Sequence, residues 1–382
     1  MHSRIELTRT VARRYFEATK KEKSVILKEF CLNTGYEHKY AIKKLRYAFL
    51  HPNKEKKKQK RNKKSQYMII KPTIKVLWDV ADFPSAVRLH AMLPTFIRTG
   101  ILYQEINPNS EQLRKLSVIS ISSIDRMLQS EIRTRRRRIN GQTRPGSLKY
   151  NIPLAIDCEE VTKPGVLEID LVVHCGTSAM GEFINTLNAT DSITFWYEAE
   201  AIMGKSQMVV EQAMEEIEKR LPYPLTGIDS DNGTEFINGN MKRYADRRKI
   251  TFTRSRPYKK NDNAHIEQKN FTHVRKIIGY ARLDTKEQQQ MMNDLYRNEL
   301  RLYINFFQPS QKLIKKERIG SRIKRVYDKP KTPYERVMES KDISEGVKKE
   351  LTKQYETLNP FHLKREIDRK IKRIFESVRN KA

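Results

Sequence analysis

The segment GVLEIDLVV at residues 165–173 gives the strongest indication of the fold. Its side chains alternate with the two-residue period of a β-strand. Leu167 and Ile169 lie on one face, whereas Glu168 and Asp170 lie on the other. A carboxylate in the middle of an otherwise apolar strand predicts an acidic functional site whose position is fixed by the strand.

The segments that follow predict an α/β fold. Two more strands are expected at 183–187 and 193–197, and with the first they predict an antiparallel meander. A helix at 205–221 ends before Pro222. The remaining elements are a strand at 225–229, a helix to about residue 249, a strand at 250–253 and a long helix that opens near residue 262. This order is typical of a ribonuclease-H-like fold with a mixed sheet.

Three acidic residues occupy special positions in this order. Asp170 lies in the first strand, Asp231 follows the fourth, and Glu267 lies in the last helix, with 35 residues between Asp231 and Glu267. A few carboxylates can hold two divalent ions about 4 Å apart, which suits in-line phosphoryl displacement. Asp229 competes with Asp231, and the Asn-Gly turn after Asp231 favours the latter.

Other polar residues are weaker candidates for metal. Asp157, Glu168 and Asp191 are interpreted as surface groups or as groups behind the metal ligands. His174 and Cys175 form a pair without suitably spaced partners, so packing is the favoured interpretation.

Basic residues next to the acids are candidate DNA contacts. Lys269 and Lys276, seven residues apart, form a stripe on the last helix that could grip the DNA backbone. The alternative is that they are ordinary solvated lysines. The loop before this helix is also basic, with Arg254, Arg256, Lys259 and Lys260.

The regions outside the core are helical and basic. Residues 1–64 predict a helix-turn-helix unit and a basic linker, and residues 65–150 predict a second such region. The core is expected at 151–308, and a basic, mostly helical tail at 309–382. The second region ends in an arginine cluster that would touch phosphates, namely Arg135, Arg136, Arg137 and Arg138.

Composition excludes several classes of protein. The chain has 76 Lys and Arg against 46 Asp and Glu, a net charge of +30 that favours a polyanionic partner. No apolar run reaches the length of about 18 residues that a membrane span needs, and no apolar segment of a signal peptide opens the chain. Three scattered cysteines fit a reducing compartment. We therefore expect a cytoplasmic protein.

Three short sequence motifs resemble those of a known family: GVLEIDL at 165–171, DNGTEF at 231–236 and KNDNAHIEQKN at 260–270. In order and at this spacing, they resemble the acidic blocks of bacterial insertion-sequence transposases of the DDE family, which have a retroviral-integrase-type core. The chain lacks the amino-terminal His-His-Cys-Cys zinc module of retroviral integrases.

This resemblance implies a function. It implies magnesium-dependent cleavage at the ends of a mobile element and transfer of the freed 3′-hydroxyl into target DNA. Asp170, Asp231 and Glu267 would be catalytic residues and ligands of two Mg²⁺ ions, which Mn²⁺ could replace. The partners would be double-stranded DNA and further copies of the chain at the bacterial nucleoid, with no membrane and no small-molecule substrate. Two alternatives stay open: an inactive or domesticated relative that regulates transcription, and a nuclease that cuts without joining.

Overall fold

The computed structural model describes residues 2–51, 66–139, 162–230, 239–254, 269–319 and 322–379. The chain divides into two compact units, Met1–Gln66 and Tyr67–Ala382. The finer division into four domains stays a prediction. Within the described residues, each helix is too short or too polar to cross a membrane.

Residues 2–51 of the first unit form three helices. They are α1 (His2–Glu17), α2 (Lys20–Thr34) and α3 (His38–Leu50). Helix α2 ends at Gly35, whose φ of +69° is a left-handed conformation that glycine adopts without strain. The buried core of the three helices is formed by Ala12, Leu27, Phe30, Ala41 and Leu45. The turn between α2 and α3 lies at Gly35, and the helix-turn-helix assignment and its DNA-binding role stay predictions.

The second unit begins with helices α4 (Lys71–Val80), α5 (Ala86–Leu102), α6 (Ser110–Val118) and α7 (Ile121–Ile139). A five-stranded mixed sheet follows. Its strands are β1 (Val166–Val173), β2 (Ile184–Asp191), β3 (Tyr197–Met203), β4 (Gly227–Ser230) and β5 (Thr251–Arg254). The spatial order is β3-β2-β1-β4-β5, with β1 to β3 antiparallel and β4 and β5 parallel to β1. The predicted mixed α/β fold with an antiparallel meander is therefore confirmed.

The third strand begins later than the sequence indicates. Residues 193–197 were predicted as a strand, but β3 starts only at Tyr197. The buried carboxylate of Asp191 accepts hydrogen bonds from the backbone N–H groups of Ile193 (3.0 Å) and Thr194 (2.6 Å). Phe195 then adopts a φ of +61°. The carboxylate thus organises a tight turn in an apolar segment that resembles a strand by composition.

Each face of the sheet is covered by helices. Helices α8 (Gln207–Glu218) and α9 (Gly239–Arg248) contribute to the core on the face that carries Leu167 and Ile169. Two further helices pack against the sheet from the other side. These are α10, a π-helical segment Asn270–Arg275 continued by Lys276–Ile278, and α11, formed by Lys286–Leu295, Tyr296–Leu300 and Arg301–Phe307.

Helix α11 also covers the edge strand β3. The side chain of Asn305 accepts from the Tyr197 backbone N–H and donates to the Tyr197 carbonyl, both at 2.8 Å. Asn293 does the same for Ala201, at 2.6 and 2.9 Å. The guanidinium of Arg220 donates to the Ala199 carbonyl between them. Side-chain groups therefore form the hydrogen bonds to the outward backbone groups of β3 that another strand would otherwise form.

The C-terminal segment joins the same hydrophobic core. It contains a two-stranded ribbon, β6 (Leu313–Ile319) and β7 (Arg322–Tyr327), and helices α12 (Pro333–Glu339), α13 (Glu345–Thr357) and α14 (Pro360–Arg379). Phe96 of α5 lies 6.1 Å, centroid to centroid, from both Phe307 of α11 and Phe361 of α14. The segment is mostly helical as predicted, whereas the ribbon was not predicted.

Candidate active site

Asp170 is a half-buried carboxylate in the middle of β1. Alternation along the strand places it on the face opposite Leu167 and Ile169. Its Oδ1 accepts a hydrogen bond from the backbone N–H of Leu171 at 2.7 Å, and its Oδ2 accepts one from the side-chain amide of Asn270. The carboxylate orientation is therefore fixed from within β1 and from α10.

Two asparagines connect this carboxylate to the neighbouring strand. Asn188 of β2 is the register partner of Asp170 and is fully buried. Its side-chain N–H donates to Oδ1 of Asn270 at 2.5 Å. Asn270 therefore bridges Asp170 and Asn188, and it lies in a π-helical segment, a distortion that is frequent at functional sites.

Strand β4 runs parallel to β1 on the other side of Asp170. The register pairs Glu168 with Asp229 and Ile169 with Ser230. Asp229 therefore shares the sheet face of Glu168 and Asp170, and its Oδ1 accepts a hydrogen bond from the Thr253 hydroxyl at 3.0 Å. This contact links Asp229 to β5, and the choice between Asp229 and Asp231 as the second acid stays a prediction.

Several predicted site residues lie outside the described residues. They are Asp231, Glu267, Arg256, Lys259, Lys260 and the lesser candidate Asp157. Arg254 ends β5, and its side chain is not among the described ones. The same holds for Arg135, Arg136, Arg137 and Arg138, whose backbone belongs to the last turns of α7. Their expected DNA contacts stay predictions.

Lys269 is buried, with 8% of its surface exposed. Its ammonium lies 5.7 Å from the centre of the Phe195 ring. Burial, together with the nearby charges of Arg88 and Arg336, lowers the pKa of Lys269 to about 7, while Glu168 opposes that shift. A grip on the DNA backbone needs an ammonium that faces solvent, so this position does not fit the DNA-contact role expected from the sequence.

Lys276 is half-exposed and already has an anionic partner. Its ammonium donates to the Asp82 backbone carbonyl at 2.8 Å and forms an ion pair with the Asp82 carboxylate. The contact ties α10 to the loop after α4. A contact between Lys276 and DNA would have to replace this ion pair.

The other polar candidates have structural positions. His174 is fully buried, its Nε2 lies 2.8 Å from the Thr186 hydroxyl, and burial lowers its pKa to about 3. These contacts fit the packing interpretation. Cys175 lies beside Arg282 in an isolated β-bridge. Burial also raises the pKa of Asp191, which accepts from the Gly165 backbone N–H at 2.7 Å and holds the β2–β3 turn.

Sequence reasoning missed Asn188 and a buried ion-pair cluster at the sheet edge. Glu198, only 1% exposed, accepts hydrogen bonds from Arg220 (3.1 Å) and Arg301 (2.9 Å). The alternating polar residues of β2 were a usable signal for Asn188. The arginines are distant in sequence from Glu198, so no local pattern pairs them. Among the described residues, no three His, Cys, Asp or Glu side chains lie close enough to hold a metal ion.

The chain is similar to one curated protein of unassigned activity. It is 33% identical over 346 residues to the uncharacterized protein y4rM of Sinorhizobium fredii (strain NBRC 101917 / NGR234), covering 88% of this chain and 95% of that protein. No protein-family model matches the chain. Among solved structures, the catalytic core domain of BIV integrase is 17% identical with a TM-score of 0.31, over 50% of this chain and 98% of that domain.

Proposed function

The chain belongs to the family of the Sinorhizobium fredii protein y4rM, and we propose that it is a DDE-type DNA transposase. It would cut phosphodiester bonds at the ends of a mobile element and join the freed 3′-hydroxyl to target DNA. Asp170, Asp231 and Glu267 would carry the reaction. The observation that carries this proposal is the position of Asp170 between a parallel strand that leads into Asp231 and a helix that follows Glu267.

The register of β1 and β4 supports Asp231 as the second acid. Ile169 is the partner of Ser230, the last residue of β4. Asp231 is the next residue of the chain, and a peptide bond keeps the Cα atoms of Ser230 and Asp231 about 3.8 Å apart. Chain connectivity is therefore compatible with Asp231 as a ligand beside Asp170.

Covalent reach supports Glu267 as the third acid. Asn270, which contacts Asp170, follows Glu267 by three residues. Three residues span at most about 11 Å even when fully extended. Chain connectivity is therefore compatible with Glu267 as a metal ligand beside Asp170.

The donor groups at this position fit magnesium. The side chains that meet here offer carboxylate and carboxamide oxygens, the hard ligands that Mg²⁺ prefers. Asp170, Asp231 and Glu267 would hold the two ions, which when bound activate a water or hydroxyl and stabilise the leaving oxygen. Asn270 would keep the Asp170 carboxylate in the orientation for coordination, a role that groups behind metal ligands commonly have.

The charge of the chain supports DNA as the partner. A net charge of +30 favours a polyanion, since bound phosphates release counterions. We propose double-stranded DNA, both element ends and target, bound by more than one copy of the chain.

A nicking and joining assay with labelled duplexes from both flanks of the gene tests the proposal. We expect Mg²⁺-dependent release of one specific 3′ end and its transfer to a second duplex. Asp170→Asn, Asp231→Asn and Glu267→Gln should bind DNA and do neither. Asp229→Asn is the matched control and should retain activity, because its carboxylate is assigned to Thr253.

The outcomes separate the alternatives. If wild type nicks without joining, the chain is a nuclease of this fold. If all variants and wild type bind the flanking DNA equally and none cuts with Mg²⁺ or Mn²⁺, the transposase proposal fails and a DNA-binding regulator becomes the better interpretation. Loss of activity in Asp229→Asn but not in Asp231→Asn would reverse the assignment of the second acid.

A further inference from the structure

The ribbon of β6 and β7 has an unusual charge pattern. Its strands contain six basic residues and one acidic residue. The register places the acidic residue Glu317 opposite Lys324, so five basic residues of the two strands have no acidic residue opposite them. A two-stranded ribbon is only marginally stable in water. A bound polyanion would balance its excess positive charge.

Exposed side chains cover this ribbon. Lys315, Lys324 and Arg325 are exposed. Three large apolar side chains are exposed with them, Ile314 at 67%, Val326 at 37% and Tyr327 at 48%. Basic side chains interleaved with an aromatic ring suit a nucleic acid, which offers phosphates at its rim and base edges or methyl groups within its grooves.

The base of the ribbon is anchored next to the candidate active site. The backbone N–H of Lys312 donates to the Asp328 carboxylate at 2.6 Å, and Arg336 pairs with the same carboxylate at 2.8 Å. The Arg336 guanidinium also lies 5.0 Å from the centre of the Phe195 ring, which Lys269 approaches from α10. The ribbon therefore begins beside the helix that contacts Asp170.

The dimensions of the ribbon select one groove. The two paired strands are about 4.8 Å apart. The major groove of B-DNA is about 12 Å wide and admits such a ribbon, whereas the minor groove is about 6 Å wide. We propose that β6 and β7 bind double-stranded DNA in its major groove, with basic side chains on the flanking phosphates. The proposal rests on the proposed function for its choice of DNA as the polyanion.

Salt-dependent binding to a short labelled duplex tests the charge of the ribbon. Lys324→Gln with Arg325→Gln removes two exposed ribbon cations. Lys349→Gln with Lys353→Gln is the matched control, since both lysines are exposed on α13. Each lost phosphate contact lowers the slope of log K against log salt by about 0.9. We therefore expect the ribbon variant to lose about 1.8 in slope and about 30-fold in affinity at 0.15 M salt, and the control to match wild type.

Methylation interference with dimethyl sulfate tests the groove. Methyl groups on guanine N7 lie in the major groove, and those on adenine N3 lie in the minor groove. Guanine N7 methylation should weaken the binding of wild type more than that of the ribbon variant, since the predicted helix-turn-helix units are present in both. Interference confined to adenine N3, an unchanged salt slope in the ribbon variant, or equal competition by single-stranded RNA would each overturn the proposal.

Two measures keep this test separate from the catalytic one. Binding is measured in EDTA, so no cleavage contributes, and equal melting temperatures of both double variants confirm that folding is intact. A protein that binds through the ribbon but neither nicks nor joins would refute the proposed function and leave the ribbon proposal standing. A protein that cuts normally with an unchanged salt slope in the ribbon variant would do the reverse.

Discussion

Replacing Asn270 with alanine should weaken metal binding at the candidate active site. The substitution removes the donor to Asp170 Oδ2 and the acceptor of the buried Asn188 amide. Loss of a hydrogen bond to a charged group and of a buried partner costs about 3 kcal/mol of folding stability. Groups that orient a metal-binding carboxylate commonly contribute 10- to 100-fold in affinity, so we expect the half-saturating Mg²⁺ concentration to rise by about that factor.

The assay is single-turnover nicking of an element-end duplex at increasing Mg²⁺. High Mg²⁺ should restore most of the Asn270→Ala rate, because the substitution leaves the carboxylates in place. Asn185→Ala is the matched control. Asn185 is also a buried asparagine of the sheet, 1% exposed, but its amide donates to the Gly204 carbonyl at 2.7 Å on the opposite face. It should lose comparable stability and keep the wild-type Mg²⁺ dependence.

Coincident Mg²⁺ titrations for Asn270→Ala and wild type would refute this reasoning. So would an equal shift in Asn185→Ala, because the effect would then follow general destabilisation of the sheet. A lower rate that no Mg²⁺ concentration restores would assign Asn270 to another step.

Three further predictions concern stability. Arg301→Met removes one of two guanidinium partners from the buried Glu198, so unfolding in urea should show a loss of about 3 kcal/mol that an added Glu198→Gln partly reverses; no reversal would contradict the assigned pairing. Burial lowers the pKa of His174 to about 3, whereas unfolded histidine titrates near 6.5, so the unfolded state binds more protons between these values. The free energy of unfolding should therefore fall by about 1.4 kcal/mol per pH unit below pH 6.5. A His174→Gln variant should lack this contribution to the pH dependence. Parallel curves of stability against pH for the two proteins would contradict the prediction. Gly165→Ala should cost about 1 to 3 kcal/mol, because φ there is +114° and a Cβ would lie 2.7 Å from the Pro224 carbonyl oxygen; an unchanged melting temperature would refute that strain.

Local patterns predicted the first strand and the position of its acid. The alternation in residues 165–173 depends on the sequence of one strand alone, and β1 extends over Val166–Val173 as the pattern indicates. The strand predicted at 193–197 from apolar composition was wrong, because Asp191 holds a turn there. Hydrogen bonds from backbone N–H groups to a neighbouring side chain, here that of Asp191, favour a turn, whereas the apolar residues favour a strand. Composition alone does not show which of the two conformations is more stable.

The position of Lys269 could not be predicted from its own helix. The sequence places Lys269 and Lys276 on one helical stripe, which is usually a solvated face. Arg88 from α5 and Arg336 from α12 lie near Lys269, and Asp82 after α4 binds Lys276. These neighbours lie far away in the chain, so helical periodicity could not show that one lysine is buried and the other paired.

The carboxamides that bind the outer backbone of β3 have a consequence for assembly. An exposed edge strand invites pairing with another chain, which leads to sheet extension or aggregation. Asn305 and Asn293 occupy the outward N–H and C=O groups of Tyr197 and Ala201. Two copies therefore cannot join into a continuous sheet through β3 unless α11 detaches, and any multimer that forms on DNA must use other surfaces. The amides of Tyr197 and Ala201 should accordingly exchange with deuterium as slowly as those of an interior strand.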